Sequence, residues 1–381
     1  MVVVGNHIQA LGIIRSLGKR GIPVYLINNR NLCISRFSKY LKKFMRADTN
    51  NDTEFVDFMI KLARKEGLED WILMPTNDAM VYILSKHKKI LEEYYKVPTP
   101  SWDVIKYAYD KRLTYKLAKR CGVPTPRTIY PEKLDDVLSV ASDLEYPVII
   151  KGKNGYDFYQ KIRIKAIYIN SKKKLINAYR ELMSLVKPSE TMIQEVVQGN
   201  HVYSFCSFFK NGEAIAIWIG RKIREHPMGF GTGTFAESTY VPKIEKLGTR
   251  ILRTMNYYGI SEIEFKRDQK DGKFKLIEIN ARTWLWHSLA ARCGVDFPYI
   301  LYKDMIGEEV TRVKSFVVGI KWIHFYTDIW ESLKEIARGN LKVNEYLNSL
   351  RGKKEFAVFS IDDPLPFIFE TILLPYLKKT R

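Results

Sequence analysis

The 381-residue chain is 46% apolar, enough to bury a core and long enough for two or three domains. It has no run of about 20 uninterrupted apolar residues, so no spanning helix is expected, and its opening, MVVVGNHIQALG, lacks the basic segment and cleavage site of a secretory leader. The 62 basic and 42 acidic residues give a net charge of +20, but no nucleic-acid motif accompanies it, so a lysine-rich surface is expected rather than a nucleic-acid partner. The bases are spread along the chain, with short clusters at Lys86, Lys88 and Lys89 and at Lys172 to Lys174. Cys33, Cys121, Cys206 and Cys293 form no CxxC pair, which argues against a zinc or disulfide framework and fits a reducing cytoplasm.

The first hundred residues alternate strand and helix signals. Val2 to Val4 read as a buried strand meeting Gly5, a helix follows to about Arg20, and Gly21-Ile22-Pro23 leads into a strand over Val24 to Asn28. WILMPTNDAMVYIL (71–84) repeats the pattern, with Asn77 or Asp78 capping its helix. Such alternation predicts a small parallel sheet covered by helices, and Gly5 is not followed by the GxGxxG spacing of a dinucleotide site.

After VPTPSWDVI (97–105) the texture changes. A helix carries Asp110 and Lys111 and breaks at CGVPTP (121–126); YPVIIKGKNG (146–155) is a buried strand ending in a loop. Lys161 to Asn170 reads as its partner strand, Lys172 to Val186 as a helix, and MIQEVVQG (192–199) as a strand reaching a turn. Strands at 202–210 and 213–220 flank Asn211-Gly212, a strong hairpin signal, and a helix covers 243–257. SEIEFKRD (261–268) and KFKLIEIN (273–280) bracket a second hairpin at Asp271-Gly272. From about 311 a helical tail runs to Arg381.

That second hairpin carries the most specific chemistry. Strand residues two apart share a face, so Ile277 and Ile279 are expected in the core while Glu278 and Asn280 face the other way, with Arg282 continuing that face. Glu262 and Glu264 share the polar face of the first strand, and folding the hairpin brings Glu264 close to Glu278. Two carboxylates and an amide oxygen suit magnesium, although alternate acids also occur on ordinary solvent-facing strands. Lys151 ends a buried apolar strand, where a cation needs an anionic partner. Lys111 beside Asp110 and the strand edge at QEVVQG are each equally readable as routine structure.

The order of these parts (a DK pair, a strand-borne lysine, QExxxG, then E-F and E-x-N-x-R on successive strands) resembles the ATP-grasp superfamily over roughly residues 1–310. LGIIRSLGKRGIPV (11–24), GRKIREHPMGFGTGTFAEST (220–239) and EFKRDQKDGKFKLIEINARTWLWHSLAARCGVDFPYILY (264–302) are similar to the carboxylate–amine ligase subgroup that includes carbamoyl-phosphate synthase large-subunit domains and D-aspartate ligases, and FSIDDPLPF (359–367) extends the likeness. The resemblance implies a mixed α/β and α+β chain: a Rossmann-like pre-ATP-grasp domain (1–105), an ATP-grasp domain (106–310, lid about 125–190) and a C-terminal helical extension (311–381). It implies ATP and Mg2+, with Mn2+ as an alternative. Lys111 and Lys151 match phosphate-binding lysines; Gln194, Glu195 and Val197 match the adenine hinge; Glu264, Glu278 and Asn280 match metal ligands; Arg282 matches an arginine at the acyl centre. His201 stands where a ribose-binding acid often sits, and KNGYDFYQK (153–161) is bulkier than the usual phosphate-covering loop.

The reading is therefore an ATP-dependent carboxylate–amine ligase working through an acylphosphate, with an acceptor pocket lined by Arg221, Lys222, Arg224, His226, Trp284, Trp286 and His287. The basic trio suits anionic small-molecule substrates. A homodimer is compatible with the resemblance. Two other classes stay open: an ATP-grasp small-molecule kinase, and a non-enzymatic basic scaffold at an anionic surface. The tail FIFETILLPYLKK (367–379) is expected to pack on the body, with peripheral membrane contact as the alternative.

Overall fold

The computed structural model describes residues 1–49, 51–229, 231–313 and 315–380. The N-terminal sheet contains β1 (Val2–Val4), β2 (Tyr25–Asn28), β3 (Lys43–Arg46) and β4 (Leu73–Pro75), all parallel in the order β3-β2-β1-β4. Its strands are buried apart from β3, and helices α1 (His7–Gly18), α2 (Asp52–Glu66), α3 (Asp78–Lys86) and α4 (Lys88–Leu91) connect and cover it. Asn51 and Asn77 cap α2 and α3 by accepting backbone N–H bonds, so Asp78 is left in the first turn with its carboxylate unused by the cap.

Helices α5 (Trp102–Tyr109) and α6 (Lys111–Arg120) follow, separated at Asp110. The expected single helix is interrupted there because Asp110 adopts an extended backbone and accepts from the N–H groups of Arg112 and Leu113. A small antiparallel sheet comes next: β5 (Thr128–Ile129), β6 (Val148–Gly152), β7 (Ile167–Ile169) and β8 (Thr191–Glu195), in the order β5-β8-β6-β7. Helices α7 (Leu134–Val140), α8 (Gly155–Ile162) and α9 (Lys172–Leu182) accompany it. The segment KNGYDFYQK is thus largely helix α8 rather than a loop, and the partner strand begins later than expected, at Ile167.

The third sheet is the largest. Strands β9 (Val202–Lys210), β10 (Glu213–His226), β11 (Thr232–Ser238), β12 (Gly259–Arg267) and β13 (Phe274–Asn280) are joined by β14 (Lys321–Ile323) and β15 (Lys354–Phe356), in the order β13-β12-β9-β10-β11-β14-β15. The β9–β10 turn has φ of 53° at Asn211 and 76° at Gly212, the positive pair a tight hairpin requires. Alternation along β9 sorts Phe205 and Phe209 into one core, with α10 (Pro242–Thr254) and α6, and Cys206 and Phe208 into another, with α1, α11 (His287–Arg292) and α12 (Phe297–Met305). Close packing of α1 on α11 requires Gly12, where a Cβ would lie 2.6 Å from His287 Nε2.

The C-terminal segment is less purely helical than expected. Besides α13 (Phe325–Ala337), α14 (Val343–Ser349) and α15 (Leu365–Thr380) it supplies β14 and β15 to the large sheet. Ser-Ile-Asp-Asp returns to the N-terminal domain, where Asp363 accepts from Arg15, Ser38 and the Lys39 N–H. Arg381 and the side chains of Lys378 and Lys379 lie outside the described residues. No helix among the described residues is long and apolar enough to cross a membrane.

Candidate active site

A cavity of about 590 Å³ opens where the three sheets meet. This size lies within the range of small-molecule sites. The β12–β13 hairpin forms one wall: Glu262 faces Asn280 and Glu264 faces Glu278 across the ladder. A bulge between the Glu264 and Phe265 pairings places Phe265 opposite Leu276. The extra residue shifts the parity expected from simple alternation: Leu276 and Ile279 enter the core, whereas Ile277 lines the cavity.

Lysines meet that wall. Lys111, at the first position of α6, places Nζ 3.1 Å from Glu278 Oε1. Lys151, at the end of β6 and only 8% exposed, donates to the Tyr115 hydroxyl at 3.4 Å; Tyr115 in turn donates to the Ile277 carbonyl. Burial and the charge of Lys111 push the Lys151 pKa down. Burial would lower Lys111 too, but Glu278 outweighs it and the pKa rises. Glu278 shows the converse balance: burial pushes it up, yet Lys111 and Lys151 hold it down at about 2. A second pair, Lys222 with Glu264 at 3.1 Å, sits beside the first. Glu262 is buried under Asn280 Nδ2 (3.0 Å) and Ser204 (2.7 Å), and burial together with Glu264 pushes its carboxyl up to about 8.

Arg282 reaches across to the N-terminal domain. Its Nε and Nη2 donate to Asp78 at 2.7 and 3.0 Å, and Nη2 also donates to Asn280 Oδ1 at 3.1 Å. Asp78 follows β4, and Asn6 and His7 follow β1; these are adjacent parallel strands whose chains leave toward opposite sides of the sheet. Such a switch point is where an open parallel sheet presents a crevice at its carboxyl ends. Asn6, Gln9 and Trp284 line this end, and both Asn6 Oδ1 and Trp284 Nε1 are buried without a hydrogen-bond partner among the described residues.

The opposite end is apolar, lined by Ile149, Ala166, Val196, Val197, Val202 and Ile277. Gln194 is pinned by its amide to Thr128 (2.8 Å), and the Glu195 carboxylate turns away to Arg127 and the Glu145 N–H. At Glu195 it is therefore the main chain that faces the cavity.

The oxygen donors Glu264, Glu278 and Asn280 share the cavity wall, and a hard cation completed by phosphate oxygens suits them. Among the described residues no cluster of three or more His, Cys, Asp or Glu forms a metal site by itself. Such a cation would depend on ligand oxygens as well as protein ones.

Several acceptor-pocket expectations fall elsewhere. Of the basic trio only Lys222 lines the cavity. Its neighbour Arg221 points away and pairs with Glu237 at 2.7 Å; Arg224 is buried against Asp328 of α13 at 2.8 Å and Ser349. His226 bonds Glu331 at 2.7 Å. Trp284 and Trp286 do line the cavity while packing on Trp218. His287 instead bonds the Gln9 carbonyl at 3.0 Å, inside the α1–α11 contact. His201 is outside the cavity lining, with Nδ1 unpartnered among the described residues. The sequence reading missed Asp78 as the partner of Arg282, along with Asn6, Gln9 and Glu225 as lining residues; the switch-point rule, applied to the ends of β1 and β4, marks the region of Asn6, Gln9 and Asp78 but does not pair Asp78 with Arg282.

No family model matches the chain. D-aspartate ligase of Enterococcus faecium is 21% identical over 296 residues, covering 74% of this chain and 70% of that protein. The carbamoyl phosphate synthase large chain of Thermoanaerobacter pseudethanolicus is 24% identical over 316 residues, 80% of this chain but 28% of that protein. This chain therefore spans under a third of the synthase. Among solved structures, biotin carboxylase of Campylobacter jejuni superposes with a TM-score of 0.67 at 14% identity, covering 84% of this chain and 74% of that one. N5-carboxyaminoimidazole synthetase of Staphylococcus aureus, solved with ADP, gives 0.65 at 14% identity and covers 83% and 79%. L-amino acid ligase of Bacillus licheniformis gives 0.61 at 15%, covering 80% and 74%.

Proposed function

We propose that this chain, an ATP-grasp enzyme, is an ATP-dependent ligase that joins a small-molecule carboxylate to an amine with release of ADP and phosphate. One observation carries the reading: Glu264, Glu278 and Asn280 share a cavity wall with Lys111, Lys151 and Arg282. Cations and oxygen donors are thereby interleaved at one place, as a polyphosphate with a divalent ion demands.

The adenine would lie in the apolar slot at Ile149, Val197 and Ile277, beside the backbone of Glu195, and the phosphates would extend toward Lys111 and Lys151. Mg2+ would be held by Glu264, Glu278 and Asn280, where its charge offsets that of the phosphate oxygens. A substrate carboxylate oxygen attacks the γ-phosphorus, the bond to the ADP oxygen breaks, and an acylphosphate forms. The amine then attacks the acyl carbon and loses a proton, and inorganic phosphate departs. Arg282 is placed to donate to the oxyanion of that second step, an effect of about 3 kcal/mol in comparable sites. Asn6, Gln9 and Trp284 supply polar atoms for the second substrate at the N-terminal end.

The test is magnesium-dependent ADP release by the whole chain against a panel of amino acids and short peptides, with Glu278→Gln alongside. A ligase needs both a carboxylate and an amine, and the variant loses turnover by roughly 100-fold or more. ADP release with a single acceptor would assign a kinase instead. A chain that neither binds nor turns over nucleotide would remove the reading altogether.

A further inference from the structure

The C-terminal segment turns an unusual surface outward. Ile361, Leu365, Ile368 and Ile372 are 88, 46, 47 and 63% exposed. Leu365, Ile368 and Ile372, three and four residues apart, lie on one stripe of α15, and Ile361 sits in the turn that precedes the helix. The helix is held to the body on either side of this stripe: Phe369 at its edge stacks on Phe37, and Glu370 on the far side accepts from His324 at 2.7 Å. Phe325, Trp330 and Leu333 of α13 and Phe359 are also 40% or more exposed. An exposed apolar stripe along one helix marks an interaction surface rather than scattered surface apolarity.

Charge is sorted in the same segment. Asp328, Glu331, Glu335, Asp363 and Glu370 are buried, directed at Arg224, His226, Arg338, Arg15 and His324 respectively. None of the segment's described lysines and arginines is buried, and Arg338, Lys342, Arg351 and Lys353 are exposed. The segment thus presents apolar and basic groups outward while holding most of its acids inside. A second copy of the chain would bring another +20 against this face, whereas an anionic surface is attracted by it.

We propose that the stripe of α15, together with the exposed basic residues of the C-terminal segment, docks the protein on an anionic lipid bilayer. Four large apolar side chains enter the interfacial region while Arg351, Lys353 and their neighbours meet lipid phosphates. A few apolar anchors assisted by basic residues give reversible rather than permanent attachment. Salt weakens the electrostatic part.

The experiment is sedimentation of the full chain with phosphatidylcholine vesicles, with and without phosphatidylglycerol, at low and high salt. Expected is binding to the anionic vesicles that falls at least about 10-fold in Ile368→Asp/Ile372→Asp and separately in Arg351→Glu/Lys353→Glu. All four replaced side chains are exposed, so unchanged circular dichroism and melting temperature control for folding, and the charge-reversal pair remains a test if the apolar pair misfolds. Wild-type protein that ignores anionic vesicles, or variants that bind as well as wild type, overturn the proposal. Light scattering adds a third outcome: a wild-type dimer that Ile368→Asp/Ile372→Asp converts to monomer, without vesicle binding, gives the face to a second copy and also overturns it.

Discussion

At Arg282 the end of the large sheet meets the N-terminal sheet in one side chain. Its two bonds to Asp78 fix the guanidinium plane, and its third, to Asn280, ties it to the wall that carries Glu278. Asp78→Asn keeps the size but removes the charge and one of the two acceptor oxygens. A guanidinium free to swing no longer meets a developing oxyanion squarely, and misplacement of this order costs up to about 100-fold in rate. The expected result is kcat lowered about 10- to 100-fold with the KM for ATP changed by less than about 3-fold, because Lys111 is paired with Glu278 and Lys151 with Tyr115 rather than with Asp78. Asp78→Glu should recover part of kcat; equal loss in kcat and ATP affinity would contradict this positioning role. Strand parity was sufficient to read Glu264, Glu278, Asn280 and Arg282 as one face from the sequence. Asp78 was not readable in the same way, because it stands 204 residues from Arg282 and the sequence offered it only as a helix cap, a task Asn77 performs.

Elements were more legible than their irregularities. Both antiparallel hairpins follow from Asn-Gly and Asp-Gly turns between alternating strands. The bulge that sends Ile277 into the cavity has no sequence signature in KLIEIN, since Leu276 and Ile277 are equally apolar and local pattern cannot choose between them. Strand β10 runs six residues beyond the expected end at Gly220, and those residues explain the fate of Arg224: it leaves the cavity to pair with Asp328 of α13. The pair is buried, and Thr234 also donates to Asp328. Asp328→Ala strands a buried guanidinium, which is expected to cost about 3–5 kcal/mol in urea unfolding. A loss below about 1 kcal/mol would mean the pair contributes little. Strand β15 supplies a pH dependence. Burial raises the Glu355 carboxyl to about 7, although Arg15, Arg292 and Lys19 pull it down. The folded chain then holds a proton that the unfolded chain releases from about pH 4.5 upward. Stability from this group is full below that value and declines as pH rises through 7, by an amount on the order of 2 kcal/mol. Glu355→Gln should flatten this part of a stability–pH curve, and an unchanged slope would assign the titration elsewhere.

Over the whole molecule, the alternation of strand and helix in the first hundred residues was enough to read a parallel sheet, and the sheet order β3-β2-β1-β4 places its crevice against the cavity. The sequence did not disclose how that sheet is held to the rest, because the clamp comes from the far end of the chain. Asp363 is 1% exposed and gathers Arg15 Nε at 2.9 Å, Ser38 Oγ at 2.7 Å and the Lys39 N–H at 2.9 Å, while its own carbonyl accepts from Arg15 Nη2. Asp362 beside it bonds Tyr40 and Lys19. The C-terminal segment therefore ties α1 and the loop after β2 to a strand pair that extends the large sheet. Replacing Asp363 by Ala leaves a half-buried guanidinium and a buried hydroxyl without their acceptor, a change expected to cost about 3 kcal/mol or more. The loss should be unevenly distributed. Hydrogen exchange in Asp363→Ala is expected to quicken in α1 and residues 34–41 while α10, packed in the other core, keeps its protection. Uniform acceleration across both regions would show that the clamp contributes only to global stability, and no change in α1 would show that the cores hold the N-terminal sheet without it.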